Sequence, residues 1–372
     1  MSAARSALLV SPGPVDGYPP VQYQARLLAD AGYRVELVTL TLPPRASGAD
    51  FAHPGVRVTC LPAWLAARTA LRSAALVAAV ATARRRLGGP TVEIAYDPLG
   101  VWISDLAPGR PRRRLAHFHE LLQHDTRHIE RRLARAVAGF DLVVVPDAAR
   151  ARHTRDRLAL AADPLVVENL PLRATHPPTP RDDRAEAGFE VVYCGSLGLD
   201  QKLDAVIRSV PAWPPGAHLL LIGRDETAAG RRLRALTRER GMDGRVRFAG
   251  WLPLPAAEAR MAQSDLGVAL LDGTSEQWRT ALGASNKRYQ YMKAGLPQIG
   301  DCNPGVPELL EGNGIGACVG APEPAEIAAL VTAYATDPAR CRREGEKAFT
   351  LHRSTFHYER AFQPLLDRIA AW

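Results

Sequence analysis

The chain has 372 residues, 47% of them hydrophobic and 23% charged. That length exceeds one ordinary core and predicts two domains of roughly 150–200 residues each, and the composition excludes a disordered or fibrous chain. The formal net charge of +8 is carried by arginine, with runs at Arg84-Arg85-Arg86, Arg112-Arg113-Arg114 and Arg131-Arg132; such a surplus reads as solvated surface, or as a basic cleft for an anionic substrate, and without a zinc-finger, homeodomain or RNP pattern no nucleic acid is expected as a partner.

A short apolar run at 7–10 ends in Ser11-Pro12-Gly13-Pro14 and predicts a buried strand and a loop. A helix is expected over 21–31, stopped by Gly32, and a strand over 35–40. Strand, helix and strand in so short a span make a βαβ unit, hence a parallel sheet. Strands follow at 91–96, 115–118, 142–145 and 165–167, with helices at 129–138 and 148–160. The stretch 173–188, with His176-Pro177-Pro178-Thr179-Pro180 followed by charges, has linker composition. Alternation then restarts: strands at 190–194, 219–222, 246–248, 266–271 and 297–299, and helices at 203–210, 228–240, 255–262, 286–294, 306–311 and 324–335. A last helix is expected over 358–371. The predicted organisation is an α/β domain over 1–172, a linker over 173–188, a second α/β domain over 189–355, and a C-terminal helix within 356–372 packed back on the first domain. In open parallel sheets a ligand sits at the carboxyl ends of the strands, so two such domains facing each other would leave a site in the cleft.

The five cysteines, Cys60, Cys194, Cys302, Cys318 and Cys341, are scattered and form no C-x-x-C pair, which points to a reducing compartment. The apolar run at 7–10 is too short for a signal-peptide core, and the run at 74–80 is too short to cross a bilayer. The expected location is cytoplasmic, with peripheral contact at the inner membrane face left open.

The segment Asn286-Lys287-Arg288-Tyr289-Gln290-Tyr291-Met292-Lys293-Ala294-Gly295-Leu296-Pro297 resembles the N-K-L-F-E-Y-M-A-A-G-L-P segment of GT-B glycosyltransferases of the retaining family-4 type. Further landmarks stand in family order: Glu168-Asn169, Gly195-Ser196-Leu197 with Lys202, Arg247-Phe248-Ala249-Gly250 and Ser264-Asp265-Leu266. The resemblance covers the C-terminal half in register and the N-terminal half loosely. It implies the GT-B fold, two Rossmann-like α/β/α domains across a cleft, and transfer of a sugar from a nucleotide-sugar donor to a small-molecule or lipid-linked acceptor, with retention and without a metal or other cofactor.

A departing nucleoside diphosphate gathers negative charge, so fixed cations and backbone N–H groups aimed at it lower the barrier. Lys202, at a helix start after a Gly-bearing loop, is the first candidate for the distal phosphate; Lys287 is the second, and for each the alternative is a solvated lysine. Gly305 and Val306 start a further helix beside the donor region, which is equally an ordinary turn-and-helix start. Family members carry Arg where Ser196 stands, and Arg224 or Arg279 could supply the missing cation. The family's paired glutamates fall on Leu282 and Gln290; Gln290 keeps one acceptor for a ribose hydroxyl but no charge. Asn286 completes the donor set. In the N-terminal half the resemblance places an active-site histidine at His119 and a donor- or acceptor-side loop at Asp16 and Gly17, where an Asp-Gly turn is the plain alternative.

His117, His119, His124 and His128 raise a metal site as a further reading. His119 and His124 are five residues apart, a turn of about 140° on a helix against about 40° for the H-E-x-x-H spacing, so they diverge. Two other functions fit the same architecture, a nucleotide-sugar epimerase and a partner subunit without turnover; the second is motivated by Leu282 and Gln290.

Overall fold

The computed structural model describes residues 5–13, 15, 19–40, 53–65, 68–122, 127–179 and 188–372. The chain divides into two compact units, Met1–Leu172 with Tyr358–Trp372, and Arg173–His357. Each is a parallel sheet with helices on both faces.

The first unit contains β1 (Ser6–Val10), α1 (Pro19–Asp30), β2 (Arg34–Leu40), β3 (Val56–Leu61), α2 (Thr69–Arg86), β4 (Val92–Tyr96), α3 (Asp97–Leu106), β5 (Arg113–His117), α4 (Arg127–Val137), β6 (Leu142–Val145), α5 (Ala148–Leu158) and β7 (Leu165–Val166). The strand order is β3-β2-β1-β4-β5-β6-β7. Every residue of β1 and β4 is buried, as central strands covered on both faces require. Side chains alternate across the sheet. On one face Leu8, Val10 and Val38 pack under α2 and α3, and Ala116 and Val143 under α4 and α5. Leu9, Leu37, Ile94 and Leu115 share a register on the other face, which α1 covers.

Arg84 corrects the reading of the arginine runs as surface. Its guanidinium is 4% exposed and grips Glu93 of β4 with two hydrogen bonds of 2.8 and 2.7 Å, and donates to the Ser104 carbonyl at 2.8 Å. Burying a charge is tolerable only with such a partner.

The second unit contains β8 (Glu190–Cys194), α6 (Leu203–Ser209), β9 (His218–Ile222), α7 (Ala228–Glu239), β10 (Val246–Gly250), α8 (Leu254–Met261), β11 (Leu266–Ala269), α9 (Glu276–Arg279), α10 (Asn286–Lys293), β12 (Gln298–Asp301), α11 (Val306–Leu310), β13 (Gly316–Val319), α12 (Pro324–Ala335) and α13 (Pro338–Ser354). The order is β10-β9-β8-β11-β12-β13. Val191, Tyr193, Leu219, Leu221 and Val268 pack against α6, α7 and α12, and Val192, Leu220 and Ala269 against α8 and α10. Gly267 lies beneath Tyr291, where a Cβ would fall 2.6 Å from the ring; the ring's hydroxyl donates to the Val268 carbonyl at 3.0 Å.

The last helix, α14 (Tyr358–Ala370), belongs to the first unit. Tyr358 packs on Tyr23 of α1 with ring centroids 5.4 Å apart. No described helix is long and apolar enough to cross a membrane.

Candidate active site

In both sheets the strand order reverses beside the first strand, between β1 and β4 and between β8 and β11. Loops leaving the carboxyl ends of these strands part at the reversal and open a ligand crevice.

In the second unit the loop after β8 begins at Gly195, whose φ of 147° and lack of a side chain are both used: a Cβ there would lie 2.6 Å from Cε of Lys287. Lys287, in the first turn of α10, therefore reaches across the Gly195-Ser196 loop, with its ammonium 5.7 Å from the centre of the Tyr193 ring. That charge opposes the effect of burial on Cys194, whose thiol burial nonetheless pushes up to about 11. The Tyr193 hydroxyl donates to the Ser196 carbonyl at 2.5 Å, fixing the loop. Lys202 precedes α6 with a left-handed φ of 50°, and its ammonium lies 3.1 Å from Oδ2 of Asp272, beyond β11. The Asp272 carboxyl is held below its ordinary range, first by the backbone and hydroxyl of Thr274 and then by Lys202. The β9 exit closes in as well, since a Cβ on Gly223 would lie 2.1 Å from the Gly195 carbonyl oxygen.

The other sequence-derived donor residues are placed as follows. Arg224 is exposed, stacks over Trp251 at 5.3 Å and lies 3.7 Å from Glu226. Arg279 pairs with Glu276 of its own helix. Asn286 opens α10. Gly305 has a φ of 83° and packs against the Leu282 side chain, and the Val306 amide donates to the Asn303 carbonyl at 3.0 Å. Gln290 is buried and lines a cavity of about 300 Å³ together with Pro178, Pro255, Glu258 and Lys293. The structure thus lays Lys287 across the Gly195-Ser196 loop at the β8 exit, pairs Lys202 with Asp272 beyond β11, and places Gln290 on the groove between α8 and α10.

In the first unit Asp16 and Gly17 lie outside the described residues. His119 follows β5 and is 3% exposed. Its backbone N–H donates to Oδ1 of Asp97 at 2.9 Å, its Nδ1 lies 3.6 Å from Oδ2 of the same residue, and its carbonyl accepts from Arg150 at 2.6 Å. Asp97 leaves β4 in a left-handed conformation, φ 56°, which an aspartate tolerates better than most residues. The His119 ring stacks on His117 at 4.5 Å and on Tyr96 at 5.4 Å. Beneath them Gln24 of α1 donates to Nδ1 of His117 at 3.0 Å and to the Tyr358 hydroxyl at 2.7 Å, and accepts from the Tyr96 hydroxyl at 2.6 Å. Accepting at Nδ1 leaves the His117 proton on Nε2. Burial, helped by His119, holds the pKa of His117 well below its ordinary value, so the ring is neutral at pH 7. Burial likewise lowers Arg150 and raises Glu168.

Of the histidine run, His128 is exposed, His117 and His119 stack, and His124 lies outside the described residues. Among the described residues no group of three or more His, Cys, Asp or Glu side chains is arranged to hold a metal ion. Sequence reasoning passed over Asp97, Asp272 and Gln24. Asp97 and Asp272 follow strands beside the two reversals, a position that could have marked them.

Residues 188–337 match the family model described as Glycosyl transferases group 1. The match lies within the second unit and spans less than half of the chain. Across the full length the chain is similar to solved structures: sucrose-phosphate synthase from Thermosynechococcus elongatus (TM-score 0.76, 17% identity, 99% of each chain covered) and Anabaena HepE in complex with UDP-glucose (0.75, 17%, 99% of this chain and 100% of that one). WaaG, a glycosyltransferase involved in lipopolysaccharide biosynthesis, is similar at 0.71, with 13% identity over 98% and 100% of the two chains. No curated protein matches the sequence. At such identities the likeness establishes the fold, and the fold is GT-B, as the motif order implied.

Proposed function

We propose that this glycosyltransferase moves a hexosyl group from a nucleoside diphosphate sugar to an acceptor hydroxyl, with retention at the anomeric carbon. The observation that carries the reading is a pair of ammonium groups at the carboxyl ends of neighbouring strands, Lys287 across the Gly195-Ser196 loop after β8 and Lys202 against Asp272 after β11. Two ammonium groups there suit a pyrophosphate, and their attraction grows as the leaving group gains charge. The HepE structures hold UDP, UDP with glucose, or UDP-glucose, which makes UDP the first base to test.

In the proposed step the acceptor oxygen attacks the anomeric carbon from the face the diphosphate leaves. The bond from that carbon to the phosphate oxygen breaks, and the acceptor proton passes to the departing phosphate. No enzymic nucleophile or metal is required by this scheme. Asp16, Gly17 and His119 serve the sugar and acceptor side; Ser196, Arg224, Asn286, Gln290, Gly305 and Val306 serve the donor side. Trp64 and Leu71, 62% and 50% exposed beside the exposed Arg68, favour a lipid-linked acceptor met at an anionic membrane surface.

The test is a panel of nucleotide sugars, read first by thermal shift and then by nucleoside diphosphate release with candidate acceptors and by the proton coupling at the new anomeric centre. Release of an epimerised nucleotide sugar without an acceptor would assign the epimerase reaction instead. Failure of every nucleotide and nucleotide sugar to shift the melting temperature would overturn the donor reading.

A further inference from the structure

Arg288 is a charged residue with no place in the donor set. It stands in the first turn of α10 beside Lys287, where the resembling segment has leucine, and it is 0% exposed. Its Nη2 donates to the Asp301 carboxylate at the end of β12 and to the Ala269 carbonyl at the end of β11 at 3.3 Å. A leucine at this position would pack without any desolvation cost, so a buried ion pair needs a reason other than stability.

The reason lies in what Asp301 holds. Its Oδ2 accepts the Leu271 amide at 2.8 Å and its Oδ1 accepts the Asn303 amide at 3.0 Å. Asn303 returns a bond from Nδ2 to the Leu271 carbonyl at 3.3 Å, and a Cβ on Gly273 would lie 2.5 Å from Asn303 Oδ1. One carboxylate thus staples the exit of β11 to the exit of β12. The first exit continues into Asp272, which holds Lys202; the second continues into the Asn303 carbonyl, which receives the Val306 amide. The Asp301 side chain that takes these amides is 7% exposed, and Arg288 is the cation that partners it.

We infer that Arg288 and Asp301 are positioning residues for the donor: the buried pair fixes the two strand exits against each other and so sets where Lys202 and the 303–306 turn stand. Neither side chain reaches the surface enough to touch the donor, so they act through Asp272 and Asn303. The role in donor binding rests on the reading proposed above. Among the described residues Nε and Nη1 of Arg288 make no hydrogen bond; the clamp uses Nη2 alone, so a lysine at this position keeps the charge and one donor.

The test compares wild type with Asp301→Asn, Arg288→Met, Arg288→Lys and Asn303→Ala by amide hydrogen exchange and by calorimetric titration with UDP and GDP. Asp301→Asn and Arg288→Met are expected to speed exchange at the Leu271 and Asn303 amides about tenfold or more, to leave exchange in β1 and β4 unchanged, and to weaken nucleoside diphosphate binding about tenfold. Arg288→Lys should stay within about threefold of wild type in both measurements. Asn303→Ala leaves both buried charges in place and should fall between, so a failure of Arg288→Met to fold does not remove the test. Wild-type exchange at Leu271 and Asn303 in Asp301→Asn would overturn the clamp. Faster exchange with unchanged nucleotide affinity would overturn its link to the donor while leaving the donor reading intact. A wild-type protein that binds neither UDP, GDP nor any other nucleoside diphosphate would overturn the donor reading itself, and with it the clamp's role in donor binding.

Discussion

The Lys202 ammonium lies 3.1 Å from Oδ2 of Asp272, so the residue that follows the β8 loop is tied to the loop that follows β11. Both side chains are about a quarter exposed, 28% and 26%, and pairs of that kind contribute at most about 1 kcal/mol to stability. Alanine keeps the Cβ that lysine already carries in the left-handed conformation at this position, so the backbone strain does not change. Lys202→Ala is therefore expected to melt within about 2 °C of wild type while kcat/KM falls about a hundredfold. Steady-state rates and a melting curve on one preparation decide it, and a wild-type rate would take Lys202 out of the site.

Asp97 makes two demands at once, a left-handed backbone and an acceptor for the His119 amide. Asparagine meets both, because its side-chain oxygen accepts and it tolerates positive φ. Alanine meets neither. Asp97→Asn is expected to remain folded with a modest loss of activity, and Asp97→Ala to lose about 1–3 kcal/mol of stability. Urea denaturation separates the two; equal midpoints would show that His119 is held by other contacts.

Arg84 and Glu93 form a pair with almost no access to water, 4% and 0% exposed. Removing one member strands the other, at a cost of about 3–5 kcal/mol. Glu93→Gln is expected to show that loss, and a double change to Met at both positions to recover most of it. A single variant with wild-type stability would mean that the remaining charge finds water.

Glu190 gives the second unit an acid limit. Burial works to raise its carboxyl, but hydrogen bonds from His218, Arg260 and Ser264 outweigh it and hold the group at about 2 against an ordinary 4.5. A depressed carboxyl contributes stability above its unfolded pKa and loses it as pH falls through the folded one. About 3 kcal/mol should therefore disappear between pH 4.5 and pH 2. Glu190→Gln should be less stable at neutral pH and flatter over that interval; parallel curves for variant and wild type would refute the assignment.

The alternating pattern was legible wherever strands are covered on both faces. The runs at 190–194, 219–222 and 266–271 are apolar because β8, β9 and β11 are central; the first two match their strands to within a residue, and β11 ends at Ala269, two residues early. α2 was not, since its alanines dilute the contrast between the face bearing Leu76, Val80 and Ala83 and the outward one. β3 was missed for a related reason: it is an edge strand with no fully buried residue, so Val56–Leu61 carries little apolar signal. The start of α3 was hidden because a residue with positive φ followed by proline reads as a turn. At the site, single residues such as Lys202 and His119 could be marked by position after a strand. Asp272 and Asp97 also follow strands, but their pairing with Lys202 and His119 could not be read, because the partners are distant in sequence and no local periodicity relates them. Gln290 was marked by family register alone, and it lines the groove with Glu258 and Lys293, two residues that the sequence did not single out.

The hydrogen bond from Gln24 to Tyr358 spans 334 positions of sequence. Synthesis runs from the amino end, so the portion that leaves the ribosome first must wait for the final helix before its own interior is complete, while Arg173–His357 needs nothing made after it. Stalled or clipped chains lacking those closing residues would uncover Tyr23 and leave Gln24 without one of its acceptors, and such nascent products are the ones expected to engage chaperones or proteases.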